Sequence, residues 1–340
     1  MSSFRVALSG DFLTPDGSPA YPMFDLGPLT SDPDIEVFHV TPERGVMPKA
    51  GLDNADALIL LAPRFNESSI PADGRLKIVA RFGVGYDTVD LAACTKSGIA
   101  VTIAPDGVRR PVAVSILTFL FALAGQLRFK DNLTRMGAPG WDLRSNYMGV
   151  GLTGRTFGQL GIGNIGAEVL RLAHPLGMRF IAHDPFVDPA LAKELGVELV
   201  SMDELFRQAD FLSISVPLSD KTRGLVDARL LGLMKPTAFL INTARGAIVD
   251  QKALYEALVS KQIAGAGLDV FEVEPAPVDE PILQLENVIV TPHSLCFSDE
   301  CFAGLGADCV RNVLAVKDGR LPKAVVNAEV LSAPIWLARA

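Results

Sequence analysis

Cysteine is scarce in this chain: four residues among 340 (Cys94, Cys296, Cys301 and Cys309), with no CxxC pair and no ligand-like spacing to histidine. That pattern excludes a disulfide scaffold and points to free thiols in a reducing compartment. Basic charge is in deficit. The 31 Lys and Arg face 39 Asp and Glu, a formal net charge of −8, which argues against a general nucleic-acid or anionic-membrane surface. The first ten residues lack an apolar core long enough for a signal peptide. No repeat of fixed period and no low-complexity run is present. Long hydrophobic runs are missing too, with one near exception. Pro111–Leu127 carries no charge over 17 residues, at the lower limit of about 17–25 for a membrane span. It holds Ser115, Thr118, Gly125 and Gln126, begins with Pro111 in a helix-starting position, and stands alone, so a buried helix is expected. A cytoplasmic location follows as an expectation. At 49% hydrophobic and 21% charged, the composition is that of an ordinary chain with a sizeable core, and the length suggests two domains of about 150 residues each.

What is present centres on residues 157–184. The apolar segment Phe157–Ile162 reads as a buried strand. It runs into Gly161-Ile162-Gly163-Asn164-Ile165-Gly166, then into a helical pattern, and a second apolar run at Arg179–Ala182 ends just before Asp184. In dinucleotide binding each part has a task. Gly161 permits the tight turn, Gly163 lets backbone approach a pyrophosphate, and Gly166 lets helix and strand pack closely. The positive end of the new helix favours phosphate charge. Asp184 lies 18 residues after Gly166, near the spacing of about 20 at which a carboxylate meets the adenosine ribose. It would repel a 2′-phosphate, and no arginine follows it closely, so the expected cofactor is NAD rather than NADP.

Other apolar runs extend the pattern. Phe4–Ser9, Ile35–Val40, Ala57–Ala62, Leu76–Ala80 and Ile99–Ile103 read as strands of a first α/β unit, with a Pro/Gly/Asp-rich loop over Asp11–Gly27. Phe211–Val216, Ala238–Asn242, Gly265–Leu268 and Val288–Val290 read as further buried parallel strands. Their alternation with helices predicts doubly wound α/β sheets, with ligands at the carboxyl ends of the strands. Residues 129–150 are irregular and read as a long loop, open to use as an arm crossing a dimer partner. Helix is expected again over Asp299–Asp318, followed by a tail that packs back onto the first domain.

Three polar residues stand at predicted strand ends: Arg245 after AFLINTA, Glu274 after GLDVFEV, and His293 after NVIVTP. Hydride exchange at an alcohol carbon needs a proton acceptor for the oxygen, a cation for a carboxylate, and a group that tunes the acceptor. Histidine ordinarily titrates near about 6.5 and suits the first task. A carboxylate partner fixes the ring and favours imidazolium, the part open to Glu274. Arginine offers a rigid donor fork, the part open to Arg245. Taken singly, each is equally readable as a loop or surface residue; their shared position at the ends of one nucleotide-binding sheet favours the functional reading. His39, His174 and His183 read as structural.

GIGNIG…HDP, NTARGAIVD, AGAGLDVFEVEP and NVIVTPH, in that order, resemble the D-isomer-specific 2-hydroxyacid dehydrogenase family, and RFGVGYDTVD is similar to its substrate-domain loop. The resemblance implies two Rossmann-like domains. Residues 1–107 and 297–340 would form a split substrate domain, and residues 108–296 an inserted NAD domain. It implies Arg245, Glu274 and His293 as the catalytic set, with the Val84 and Gly85 amides and Arg245 on the substrate carboxylate. Asn164 and Ile165 would lie at the pyrophosphate, Val216 and Pro217 along the adenosine, and Thr243 and Asp269 near the nicotinamide. A homodimer through the NAD domain and a small 2-hydroxy or 2-keto acid substrate are implied, with neither nucleic acid nor membrane as partner.

The chain departs from the family pattern in two places. After His293 it reads Ser294-Leu295-Cys296-Phe297-Ser298 where small residues are usual, which reshapes the expected pocket wall at Cys296 and Phe297. Arg109 and Arg110 open the long apolar helix, and with Arg64 and Arg81 they are readable either as an anion-binding surface for a phosphorylated or sugar-derived acid or, equally, as domain-surface charges. Two alternatives to the dehydrogenase remain at this stage: an NAD-sensing corepressor-type protein, and oxidation of a non-standard acid such as phosphite.

Overall fold

Short, mostly apolar runs become the strands of two sheets in the computed structural model, which describes residues 3–337. The chain divides into two units, Met1–Val108 with Phe297–Ala340, and Arg109–Cys296. Every strand pairing in the two sheets is parallel. That requires both faces of each sheet to be covered by crossover segments, and explains why inner runs such as Ala57–Leu60, Phe211–Ile214 and Phe239–Asn242 are buried at every position.

In the first unit β1 (Phe4–Ser9), β2 (Ile35–Val40), β3 (Ala57–Leu60), β4 (Ile78–Arg81) and β5 (Ala100–Thr102) lie in the order β2-β1-β3-β4-β5. The edge strand β5 is covered by the tail of the chain. Val326 donates its N–H to Val101 (2.9 Å), and Thr102 bridges Val325. The buried Asn327 side chain accepts from the Val101 N–H (2.8 Å) and donates to the Ile99 carbonyl (2.9 Å). Trp336, wholly buried, donates its indole N–H to Gly98 (3.0 Å). An edge otherwise open to pairing with another chain is thereby closed.

The second unit holds β6 (Thr156–Leu160), β7 (Arg179–His183), β8 (Glu198–Leu199), β9 (Phe211–Ile214), β10 (Phe239–Asn242), β11 (Gly265–Leu268) and β12 (Val288–Val290). Their order is β12-β11-β10-β9-β6-β7-β8. Strand order reverses between β6 and β9, so the connections leaving their carboxyl ends diverge and open a crevice there.

Two sequence expectations are corrected. The long apolar helix runs Pro105–Ala124 and so begins before Pro111, which lies inside it. Pro105 can start the helix because its missing N–H would have no partner in the first turn. The buried Asp308 carboxylate accepts the N–H groups of Asp106 (3.1 Å) and Gly107 (3.3 Å), satisfying that early start. By length and composition this helix passes for a membrane span. Its residues Ala113, Ile116, Phe119, Leu120 and Leu123 instead form core of the second unit, none more than 4% exposed. Residues 129–150 are not a long loop: helices Leu127–Arg135 and Ala138–Asp142 and a 3-10 turn, Arg144–Asn146, occupy most of the stretch. Asp131 and Arg135 pair one helical turn apart (2.8 Å), and Gly137, at φ +69°, breaks one helix from the next. Leu127, Met136, Trp141, Leu143 and Met148 are left exposed.

Candidate active site

The dinucleotide turn is built where β6 ends. Gly161 has φ +90°, and a Cβ there would stand 2.8 Å from Val216 Cγ1 and 2.9 Å from the Ser215 carbonyl. A Cβ on Gly166 would reach 2.2 Å from the Gly161 carbonyl. Around Gly163 nothing lies within 4 Å of that position, so the backbone there faces open space. Gly163 is also the N-cap of the helix Asn164–Ala173 and offers no capping side chain. The first-turn donors of that helix are therefore presented to an anion. Asp184, half-buried past β7, accepts from the N–H of Ile162 (2.8 Å) through one oxygen and from that of Phe186 (2.8 Å) through the other. It pins the glycine turn and, with about four acceptor positions on a carboxylate, keeps capacity for ribose hydroxyls. These residues fit NAD. Val216 and Pro217 follow β9, and Val216 borders the same turn.

Three strand ends carry the polar set. Asn242, the last residue of β10, is buried; its side chain accepts from the Ala244 N–H (3.0 Å) and donates to the Arg245 carbonyl (3.0 Å). It fixes the turn Thr243-Ala244-Arg245, all half-buried. Gly246 follows because a Cβ there would meet the Phe271 carbonyl carbon at 1.9 Å. The loop bearing Arg245 is thus pressed against the loop after β11. There Glu274 turns back to accept the Phe271 N–H (2.9 Å), and its other oxygen lies 2.7 Å from His293 Nδ1. Partial burial raises the Glu274 carboxyl. The hydrogen bonds from His293 and the Phe271 N–H, with the nearby charges of His293 and Arg245, outweigh that burial and hold it below the ordinary carboxylate value.

His293 stands at φ +53°, a left-handed conformation that a side chain adopts at a cost. Buried Asp269 holds it there. One carboxylate oxygen accepts the Thr291 hydroxyl (2.6 Å) and the N–H groups of Ser294 (2.9 Å) and Leu295 (3.1 Å), bracketing the histidine. Nδ1 faces Glu274, so Nε2 is the ring nitrogen left for another partner. The structure therefore brings Arg245, Glu274 and His293 together within one unit. Sequence reasoning missed Asn242 as the organiser of the Arg245 turn; its one signal is a polar residue ending the apolar run FLIN.

The other candidate positions are placed as follows. Val84 and Gly85, half-buried, follow β4 in the first unit. Arg110 is paired within the second unit: its Nε lies 2.7 Å from the buried Glu168 carboxylate, on the helix Asn164–Ala173. Arg81 folds back onto the carbonyl of Phe82. Arg64 and Arg109 are exposed.

Residues 117–294 match the model of the D-isomer-specific 2-hydroxyacid dehydrogenase NAD-binding domain. This chain belongs to that family. It is 41% identical to a glyoxylate reductase of Korarchaeum cryptofilum over 82% of this chain and 84% of the relative. A glyoxylate reductase structure from Paecilomyes thermophila superposes with a TM-score of 0.81 at 29% identity, covering 96% of this chain and 99% of the other. The D-mandelate dehydrogenase of Rhodotorula graminis does so with 0.77 at 25% identity, covering 95% and 97%. The enzyme is accordingly an NAD-dependent oxidoreductase of 2-hydroxy and 2-keto acids. Arg245, Glu274 and His293 all follow the carboxyl ends of strands in this matched region.

Proposed function

We propose that the enzyme reduces a 2-keto acid to its D-2-hydroxy acid with NADH, through His293, Glu274 and Arg245. The contact that carries this reading is the 2.7 Å hydrogen bond between His293 Nδ1 and Glu274, built beside Arg245 at the carboxyl ends of β10, β11 and β12. Bound NAD supplies the hydride donor or acceptor. The balanced reaction is 2-keto acid + NADH + H⁺ giving 2-hydroxy acid + NAD⁺. His293 Nε2 gives the proton to the C2 oxygen during reduction and takes it back during oxidation. Glu274 fixes the ring so that Nε2 faces the substrate, and its charge favours the protonated ring. Arg245 orients the substrate through its carboxylate, a task shared with the Val84 and Gly85 amides of the first unit, the substrate domain in this reading. Asp184 binds the adenosine ribose and selects NAD over NADP. Asn164 and Ile165 hold the pyrophosphate, and Thr243 and Asp269 border the nicotinamide. The exposed Leu127, Met136, Trp141, Leu143 and Met148 support a homodimer through the NAD unit, and the free thiols of Cys94, Cys296, Cys301 and Cys309 support a cytoplasmic location.

The test is NADH oxidation, followed by absorbance, against a panel of 2-keto acids, with His293→Ala as control. Turnover that disappears in the variant while NADH affinity persists is the expected result. NADH binding without turnover of any acid, or a variant as active as the parent, would overturn the assignment.

A further inference from the structure

The first unit gathers aromatic rings where its sheet ends. Phe82 leaves β4 and leads into Gly83-Val84-Gly85, the loop assigned above to the substrate carboxylate. Its ring packs on Phe12 (centroids 5.0 Å apart), Phe24 (4.9 Å) and Phe302 (5.7 Å). These four rings are buried, none more than 8% exposed. Above them Tyr21 stacks on Phe302 at 4.1 Å, and Phe297 stands edge-on to both, 6.1 Å from Tyr21 and 4.9 Å from Phe302. Such distances and angles are those of favourable ring pairs, so Phe297 is held rather than loose. Yet it is 49% exposed.

The polar groups recorded near this wall lie at its rim, not on the ring faces. Arg81 is turned onto the Phe82 carbonyl, and Asp11 accepts the Ala62 N–H (2.9 Å). Burial, and the nearby charge of Asp11, push the Tyr21 hydroxyl up, so it stays protonated. A phosphate or a polyhydroxylated chain laid on the ring faces of Phe297 and Phe302 would lose water without gaining hydrogen-bond partners from them. An apolar group would gain contact area. Glyoxylate has no side group to present.

We infer that Phe297, backed by Tyr21 and Phe302, selects the group attached to C2, and that the preferred substrate is a 2-keto acid with a branched-chain or aromatic side group. This rests on the assignment of Val84 and Gly85 to the carboxylate. The wall is continuous, through Phe82, with the loop that carries them.

The experiment compares kcat/KM for phenylpyruvate, 4-methyl-2-oxopentanoate, glyoxylate and a phosphorylated 2-keto acid, with the full-length wild type and with Phe297→Ala and Phe297→Tyr. The wild type is expected to prefer the two bulky acids. Phe297→Ala should lower their kcat/KM about tenfold more than that of glyoxylate, mostly through KM, the order of effect that a lost apolar contact produces. Phe297→Tyr should restore most of the difference. A wild-type preference for glyoxylate or for the phosphorylated acid would overturn the inference and leave the dehydrogenase assignment standing. An equal loss on all acids in Phe297→Ala would also overturn it, since a purely structural ring would act that way. No turnover of any acid would refute the proposed function, and this inference with it.

Discussion

Replacing Asp269 by Ala tests whether a strained histidine is held ready by a single carboxylate. The wild-type side chain is 3% exposed and accepts three hydrogen bonds at one oxygen, at 2.6, 2.9 and 3.1 Å. Hydrogen bonds to a charged acceptor contribute about 1.5–3 kcal/mol each and add incompletely when they share an atom, so a loss of about 3–5 kcal/mol in stability is expected. The effect on activity has a separate origin. A left-handed residue lies about 1–2 kcal/mol above a right-handed one, and about 1.4 kcal/mol is a factor of ten in population. With the clamp gone, His293 at φ +53° should relax, and kcat should fall about tenfold or more. Asp269→Asn keeps an acceptor oxygen at the same place and should lose less on both counts. The assays are thermal unfolding, kcat at saturating substrate and NADH affinity. Weakened NADH binding with unchanged kcat at saturation would refute the clamp and leave Asp269 a purely cofactor-binding residue.

Two further expectations concern the acids. Asp184→Asn removes the charge that would repel a 2′-phosphate, and the ratio of NADP to NAD turnover should rise about tenfold, the effect of one strong polar discrimination; an unchanged ratio would contradict the ribose role. Glu274 has its carboxyl below the ordinary value of 4.5. Its contribution to stability is therefore complete above about pH 4.5 and is lost as pH falls through the depressed value. Glu274→Gln should flatten that acid limb in a pH series of unfolding midpoints, and superimposable limbs for the two proteins would count against the pairing with His293.

Much of this architecture is written locally in the chain. Phe4–Ser9, Ile35–Val40, Gly265–Leu268 and Val288–Val290 become strands with those bounds, because short apolar runs ended by polar or turn-forming residues have few other ways to hide. The glycine turn, and the places of Arg245, Glu274 and His293 after strand ends, were legible for the same reason. What escaped the sequence depends on partners far along the chain. Arg110 looks like a free cation until Glu168 is folded beneath it, and Pro111 looks like a helix start until Asp308 caps an earlier one. The segment 129–150 is rich in glycine and charge, and its helices rest on the Asp131–Arg135 pair and on Gly140 seated against Leu133. Asp269 could be matched to the cofactor by motif, but its hold on both sides of His293 is visible only in three dimensions.

The covering of β5 by Val325–Trp336 has a consequence for how the molecule is made. On a ribosome the five strands of the first unit emerge early, but the residues that close their open edge arrive only after the roughly 190 residues of the second unit. At about 5–20 residues per second that is a wait of roughly 10–40 s. Throughout it, Gly98, Ile99 and Val101 have neither Trp336 nor Asn327 to answer their polar groups. The second unit, uninterrupted in the chain, can complete itself first. The nascent first unit is thus the part that would engage a chaperone, and damage to the Asn327 or Trp336 anchors should show first as poor yield during expression rather than as altered kinetics in whatever enzyme survives.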